Sequence, residues 1–219
     1  MVEPTQPGDV DVRTPSRPLP ATLALALGVV ATGLILLLTI GVTKPETAAT
    51  PPVQSAAAPV DAVAPDPAVG APEDRPRASD LAALDSWARE LAAKTNVPAN
   101  LLAVYGRAEM WLRGESATCH LSWATLAGIG QFEAVGSGPL PVQSGIWDRW
   151  AARATHDGKA PDPRNADDAA YTVGRYLCSS GGDLATGGGW WQAVLGYTRS
   201  TGDAQSILTA TNAVATASR

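Results

Sequence analysis

Aromatic side chains are missing from the first 86 residues of this 219-residue chain; seven Trp, four Tyr and one Phe all lie from Trp87 onward. Without rings to pack around, the first third is not expected to fold by itself. Histidine is scarce as well, His120 and His156 standing apart, and Cys119 and Cys178 are not closely spaced. No metal site with zinc-like ligand spacing is therefore expected. Basic residues are outnumbered, 16 Lys and Arg against 21 Asp and Glu for a formal charge of −5, and they form no stripe. That argues against a nucleic-acid partner held through phosphate contacts. Alternating strand patterns and internal repeats are also missing, so the expected class is mainly α.

In one place the missing feature is charge itself. Residues 1–20 are polar and proline-rich, and then Ala21 to Thr43 carries no charged side chain. As a helix this run reaches about 34 Å, enough for the roughly 30 Å hydrocarbon core of a bilayer, and it reads as a single transmembrane helix. The rival reading is a cleaved signal peptide with Thr47-Ala48-Ala49 near the cut, but signal cores are shorter. Arg13 and Arg17 before the span against Lys44 close after it point the N-terminus into the cytoplasm. The expected location is thus the cell membrane, single-pass, with the C-terminal part extracytoplasmic. Residues 44–79, alanines interrupted by Pro45, Pro51, Pro52 and five later prolines, read as a disordered Pro/Ala-rich linker.

Residues 80–219 read as one helical domain. Leu81, Leu84, Trp87 and Leu91 recur at helical spacing behind Ser79 or Asp80, and Pro98 opens a second helix through Leu101, Leu102 and Tyr105. Ser122 caps a third, with Leu121 and Leu126 placed as a staple, and Ile146, Trp147 and Trp150 mark a short fourth. Asn165 opens a fifth that ends near Cys178. Gly181-Gly182 and Gly187-Gly188-Gly189 read as breakers before two closing helices, Trp190 to Tyr197 and Asp203 to Ala215. In a domain outside the membrane the even pair Cys119 and Cys178 reads as a disulfide, the bland alternative being two buried thiols.

One carboxylate stands out. On the third helix Trp123, Leu126, Ala127 and Gly130 make a stripe that, continued by three, lands on Glu133 among Ile129, Phe132 and Ala134. Desolvation there would favour the neutral acid that a proton donor to a leaving oxygen requires. The bland alternative is a surface Glu at a helix end beside Gly136 and Gly138.

The run from Cys119-His120-Leu121-Ser122-Trp123 to Gly130-Gln131-Phe132-Glu133 resembles the opening of the catalytic domain of the lytic murein transglycosylases. Val97-Pro98-Ala99 through Tyr105-Gly106-Arg107-Ala108 resembles that family's preceding helix, and Gly138-Pro139-Leu140 resembles its Gly-Pro-Met-Gln-Phe segment. Asp162-Pro163-Arg164-Asn165-Ala166-Asp167-Asp168-Ala169-Ala170, Arg175-Tyr176-Leu177-Cys178 and Gly181-Gly182-Asp183-Leu184 match most closely. Tyr197-Thr198-Arg199-Ser200 resembles the family's Tyr-Asn motif. The resemblance covers about residues 95–215 and implies a lysozyme-like helical domain cleaving the MurNAc–GlcNAc bond of peptidoglycan to leave 1,6-anhydromuramic ends. Glu133 matches the single acid/base, which protonates the leaving oxygen and then deprotonates the 6-hydroxyl. The substrate acetamido group replaces a second carboxylate. Tyr197 matches an aromatic hydroxyl near the cleft, and Gln143 and Thr198 stand close to positions of polar cleft contacts.

The departures from the family are specific. Ala134 replaces the Ser after the catalytic Glu, Pro141 replaces the Gln after Gly-Pro-Met, and Thr198 replaces the Asn after the Tyr. Only Ala134 to Ser137 separates Glu133 from Gly138, where the family has a longer excursion that walls the cleft. A shortened or open groove is expected, and Ala154-Thr155-His156-Asp157-Gly158 retains one Asp where calcium-binding relatives carry several, so no calcium or other cofactor is expected. Two further functional classes stay open at this point. One is a degenerate domain of the same fold that binds glycan or a cell-wall synthesis protein without cutting, and the other is a lysozyme-type hydrolase using water.

Overall fold

The computed structural model describes residues 57–72, 80–133 and 138–219. The polar tail and the span expected at 21–43 lie outside the described residues. Among the described residues no helix is long and apolar enough to cross a membrane. Seven α-helices and no strand make up the described chain: α1 (Asp80–Thr95), α2 (Ala99–Glu115), α3 (Trp123–Phe132), α4 (Ser144–Trp150), α5 (Ala166–Gly181), α6 (Gly187–Thr198) and α7 (Thr201–Ala217).

Helix starts follow local chemistry. The Ser122 hydroxyl accepts from the Ala124 N–H, Asn165 Oδ1 from the Asp167 and Asp168 N–H groups, and Ser200 from that of Asp203. Each satisfies a donor that the first helical turn cannot pair internally. Gly187-Gly188-Gly189, expected as a breaker, instead forms the first turn of α6, because the Thr186 hydroxyl accepts from the Gly189 N–H at 3.1 Å and caps the helix. The other glycine pair does end a helix: Gly182, at φ 71°, follows the last turn of α5.

α3 is the axis of the core. All its residues from Trp123 to Gly130 are buried, and α2, α5 and α7 pack around it. Its closest approach is to α7, where a Cβ on Gly128 would lie 2.2 Å from Thr211 Oγ1 and 3.0 Å from the Ile207 carbonyl oxygen. Only glycine allows the two backbones this near one another. Trp123, Trp190 and Trp191 are buried in the same core, Trp190 Nε1 donating to Thr125 Oγ1 at 3.2 Å. The disulfide expected between Cys119 and Cys178 is present, tying the turn before α3 to α5 with the Cα atoms 5.2 Å apart.

Residues 57–72 depart from the expected disordered linker. They run without helix or strand along the helical domain as a docked strap. Trp191 Nε1 donates to the Val63 carbonyl, Trp123 Nε1 to that of Val69 at 2.7 Å, and Arg219 to that of Pro67 at 2.8 Å. In return the Asp66 N–H donates to Asn212 Oδ1 at 2.8 Å and the Val69 N–H to Ser218 Oγ at 3.1 Å. Proline removes N–H donors but leaves every carbonyl, so a Pro/Ala segment can be held by donors on other elements without a core of its own. Ala71 closes the strap, buried, with its N–H 3.3 Å from Glu109 Oε1.

Candidate functional site

Glu133 is the C-cap of α3, its own N–H bonded to the Ile129 carbonyl at 2.9 Å. The helix ends at Phe132, so the apolar stripe ends before it reaches this residue. Gln131, Phe132 and Glu133 are all exposed, Phe132 to 37 %. Of the two readings of its spacing, burial on the apolar face is not found and a surface Glu at a helix end is: the carboxyl stands in solvent at the edge of the core. Ala134, the next residue, lies outside the described residues.

Two tyrosines back this edge. Tyr197, near the end of α6, is buried, and its hydroxyl donates to the Pro141 carbonyl at 2.7 Å. Burial first, then the negative charge of Glu133, holds that hydroxyl above the usual tyrosine range. The phenol is thus neutral, with its proton committed to Pro141 and an oxygen lone pair still able to accept.

Tyr105, on α2, was not singled out by sequence reasoning as a site residue. Its hydroxyl is buried with no hydrogen-bond partner among the described residues, and burial pushes it up to about 12. A Cβ on Gly130, one turn before Glu133, would lie 2.4 Å from that hydroxyl. The glycine in the middle of a helical stripe was the available signal, since such a glycine marks a close approach.

Gln143 and Thr198 belong to the same neighbourhood, but the Gln143 amide nitrogen and the Thr198 hydroxyl are bonded to the backbone. Gln143 Nε2 donates to the Tyr197 carbonyl at 2.7 Å. The Thr198 hydroxyl lies 3.0 Å from the carbonyls of both Val194 and Ser200 and accepts from the Ser200 N–H. Leu140, from the Gly138-Pro139-Leu140 segment, is buried near Gly130 and so brings this segment back beside the last turn of α3. Tyr197, Gln143 and Thr198 thus gather where the end of α6 meets the start of α4, with Glu133 near enough for its charge to act on the Tyr197 hydroxyl.

Two other features lie apart from this edge. A groove of about 580 Å³ under the strap is lined by Asp66, Glu109, Arg113, His120 and Ser122, at the opposite end of α3, about 15 Å along the helix axis. In the loop before α5, Arg153 forks onto Asp157 (3.0 and 3.2 Å) and reaches Asp168 at 2.8 Å. A guanidinium thus neutralises the carboxylates that gather there. Among the described residues no group of three or more His, Cys, Asp or Glu is disposed to hold a metal ion. Compared with known proteins, the chain matches no family model, no curated protein and no solved structure.

Proposed function

We propose that the chain is a membrane-anchored lytic transglycosylase with a lysozyme-like helical domain, cleaving the MurNAc–GlcNAc bond of peptidoglycan with Glu133 as sole acid/base. The observation that carries this reading is the placement of Glu133. It is a solvent-accessible carboxyl at the end of a helix that is buried from Trp123 to Gly130, and the neutral Tyr197 phenol lies near it. A proton delivered from Glu133 to the glycosidic oxygen, and taken back from the 6-hydroxyl, needs one carboxyl that can act in both directions. The N-terminus lies in the cytoplasm and the helical domain outside, where the glycan is.

Incubating the full chain, in detergent micelles, with purified peptidoglycan and analysing products by mass spectrometry tests this directly. Anhydromuramic ends are expected, and Glu133→Gln lowers their yield by about 10²-fold or more. Reducing ends would instead identify a hydrolase.

A second reading is favoured by a specific observation. The Tyr197 hydroxyl proton, the Gln143 amide nitrogen and the Thr198 hydroxyl are engaged by backbone groups, which suits a domain of this architecture that holds glycan or a cell-wall synthesis protein without cutting it. Binding of glycan with no cleavage by the folded full chain would establish that reading in place of the first.

A further inference from the structure

Seven of the nine arginines from residue 80 onward have a hydrogen-bonding partner. Arg107, Arg113, Arg153 and Arg164 meet carboxylates, Arg89 a hydroxyl, and Arg175 and Arg219 backbone carbonyls. Arg149 and Arg199 have none among the described residues, and both line the same hollow of about 500 Å³. They are its only charged lining groups. Arg149 sits in the last turn of α4 and Arg199 caps the end of α6, positions where the helix dipole accommodates a cation without an acid.

The dipole does not account for the backbone of Arg199. It has φ 58° and ψ 20°, a left-handed conformation that costs any residue with a Cβ and that glycine or asparagine adopts more readily. Asn96, His120 and His156 share this conformation, and at Arg199 the residue that bears its cost is one that also lines the hollow. Half-buried Tyr176 and Trp150 supply aromatic walls, and Gln143 and Ser144 supply neutral polar groups. The Tyr176 ring also packs 6.4 Å from that of Tyr197, which joins the hollow to the Glu133 edge.

We propose that this hollow is a carboxylate-binding subsite, in which Arg149 and Arg199 hold the acidic peptide carried by a glycan strand while its sugars lie toward Glu133. Guanidinium forks match carboxylates in geometry as well as charge, and aromatic walls suit the aliphatic parts of a short peptide. The assignment rests on the glycan reading above for its polymer, but not on cleavage.

The test uses the full chain carrying Glu133→Gln, so that nothing is consumed, and three probes: a disaccharide-tetrapeptide muropeptide, the same molecule with its carboxylates amidated, and the disaccharide stripped of peptide. Calorimetry is expected to show the free-carboxylate probe bound about tenfold more tightly than the other two. The margin should shrink as salt rises from about 50 mM to about 500 mM. Arg149→Gln combined with Arg199→Gln should bring the three affinities together. If the double variant unfolds, each single variant is expected to lose about threefold of the preference and decides the matter.

Equal affinities for all three probes, or a preference that survives both substitutions, would overturn the subsite. The wild-type chain then separates the two proposals: carboxylate preference without cleavage keeps the subsite and removes the enzyme, while cleavage without preference does the reverse.

Discussion

Changing Asp168 to Asn replaces one carboxylate oxygen by an NH₂, yet the environment leaves that group no tolerable orientation. Asp168 is fully buried; Oδ1 accepts from the Ala154 N–H at 2.9 Å, and Oδ2 accepts from the Asp162 N–H at 2.9 Å and from Arg153 at 2.8 Å. If the new amide keeps its oxygen toward Ala154, its NH₂ faces two donors. Turned over, it faces the Ala154 N–H. Either way at least one buried backbone donor loses its acceptor, which costs about 1–3 kcal/mol. Asp168→Asn should therefore lower stability by about 2 kcal/mol, and Asp168→Ala, which orphans both backbone donors and Arg153, by about 4 kcal/mol. The assay is urea unfolding of the full chain in micelles followed by tryptophan fluorescence, since every Trp lies in the helical part. The exposed substitution Asp85→Asn serves as a control. A shift for Asp168→Asn within about 0.5 kcal/mol of wild type, with an unchanged slope, would refute the donor accounting.

Three further outcomes are expected. Replacing both Cys119 and Cys178 by Ser opens a loop spanning 59 residues and should cost about 4 kcal/mol in the chain-entropy model, read as the unfolding midpoint with and without reductant. Gly128→Ala gains about 1 kcal/mol of helix propensity but drives a Cβ into the Thr211 hydroxyl and tight against the α7 backbone, so a net loss of about 2 kcal/mol is expected; a stabilised variant would show that α3 and α7 can part. Asp157 is held well below the usual carboxylate range, chiefly by the Arg153 side chain. A folded-state value below the unfolded one contributes stability above the ordinary Asp range and loses it as pH falls. The 153–159 loop should therefore hold down to pH values where exposed aspartates are already protonated. Arg153→Gln should raise that threshold to about pH 4, measured by exchange of the Lys159 amide, whose N–H bonds Asp157.

Helix positions were legible because each rests on short-range chemistry. Apolar spacing marks α1 and α2, and Ser122 and Asn165 cap α3 and α5 as their side chains allow. The cysteine pairing was legible too, because an even pair leaves one intramolecular partner. Extrapolating the stripe of α3 to Glu133 misjudged its burial, since periodicity carries no signal of where a helix ends and the core gives way to solvent. Tyr105 was concealed by looking like any core aromatic; Gly130 marks its close approach to α3, and only the packing around the hydroxyl shows that it has no partner among the described residues. The strap was not legible at all. Its own composition lacks bulky apolar groups, and its partners, Trp123, Trp191, Asn212 and Arg219, lie from 54 to 152 residues further along. Composition reports what a segment can bury by itself, and here the donors that order it belong to other elements.

That strap also decides how the domain would bear mechanical load. A pull applied at residue 57 does not reach α1 first. It is taken up by bonds from Val63 to α6, from Asp66 and Pro67 to the end of α7, from Val69 to α3, and from Ala71 and Pro72 to α2. These anchors are distributed over four helices, so tension spreads through the end of the bundle that holds the α3 N-terminus. Glu133 sits at the other end of α3, so a pull on the strap alone is taken up before it reaches the residues around that carboxyl.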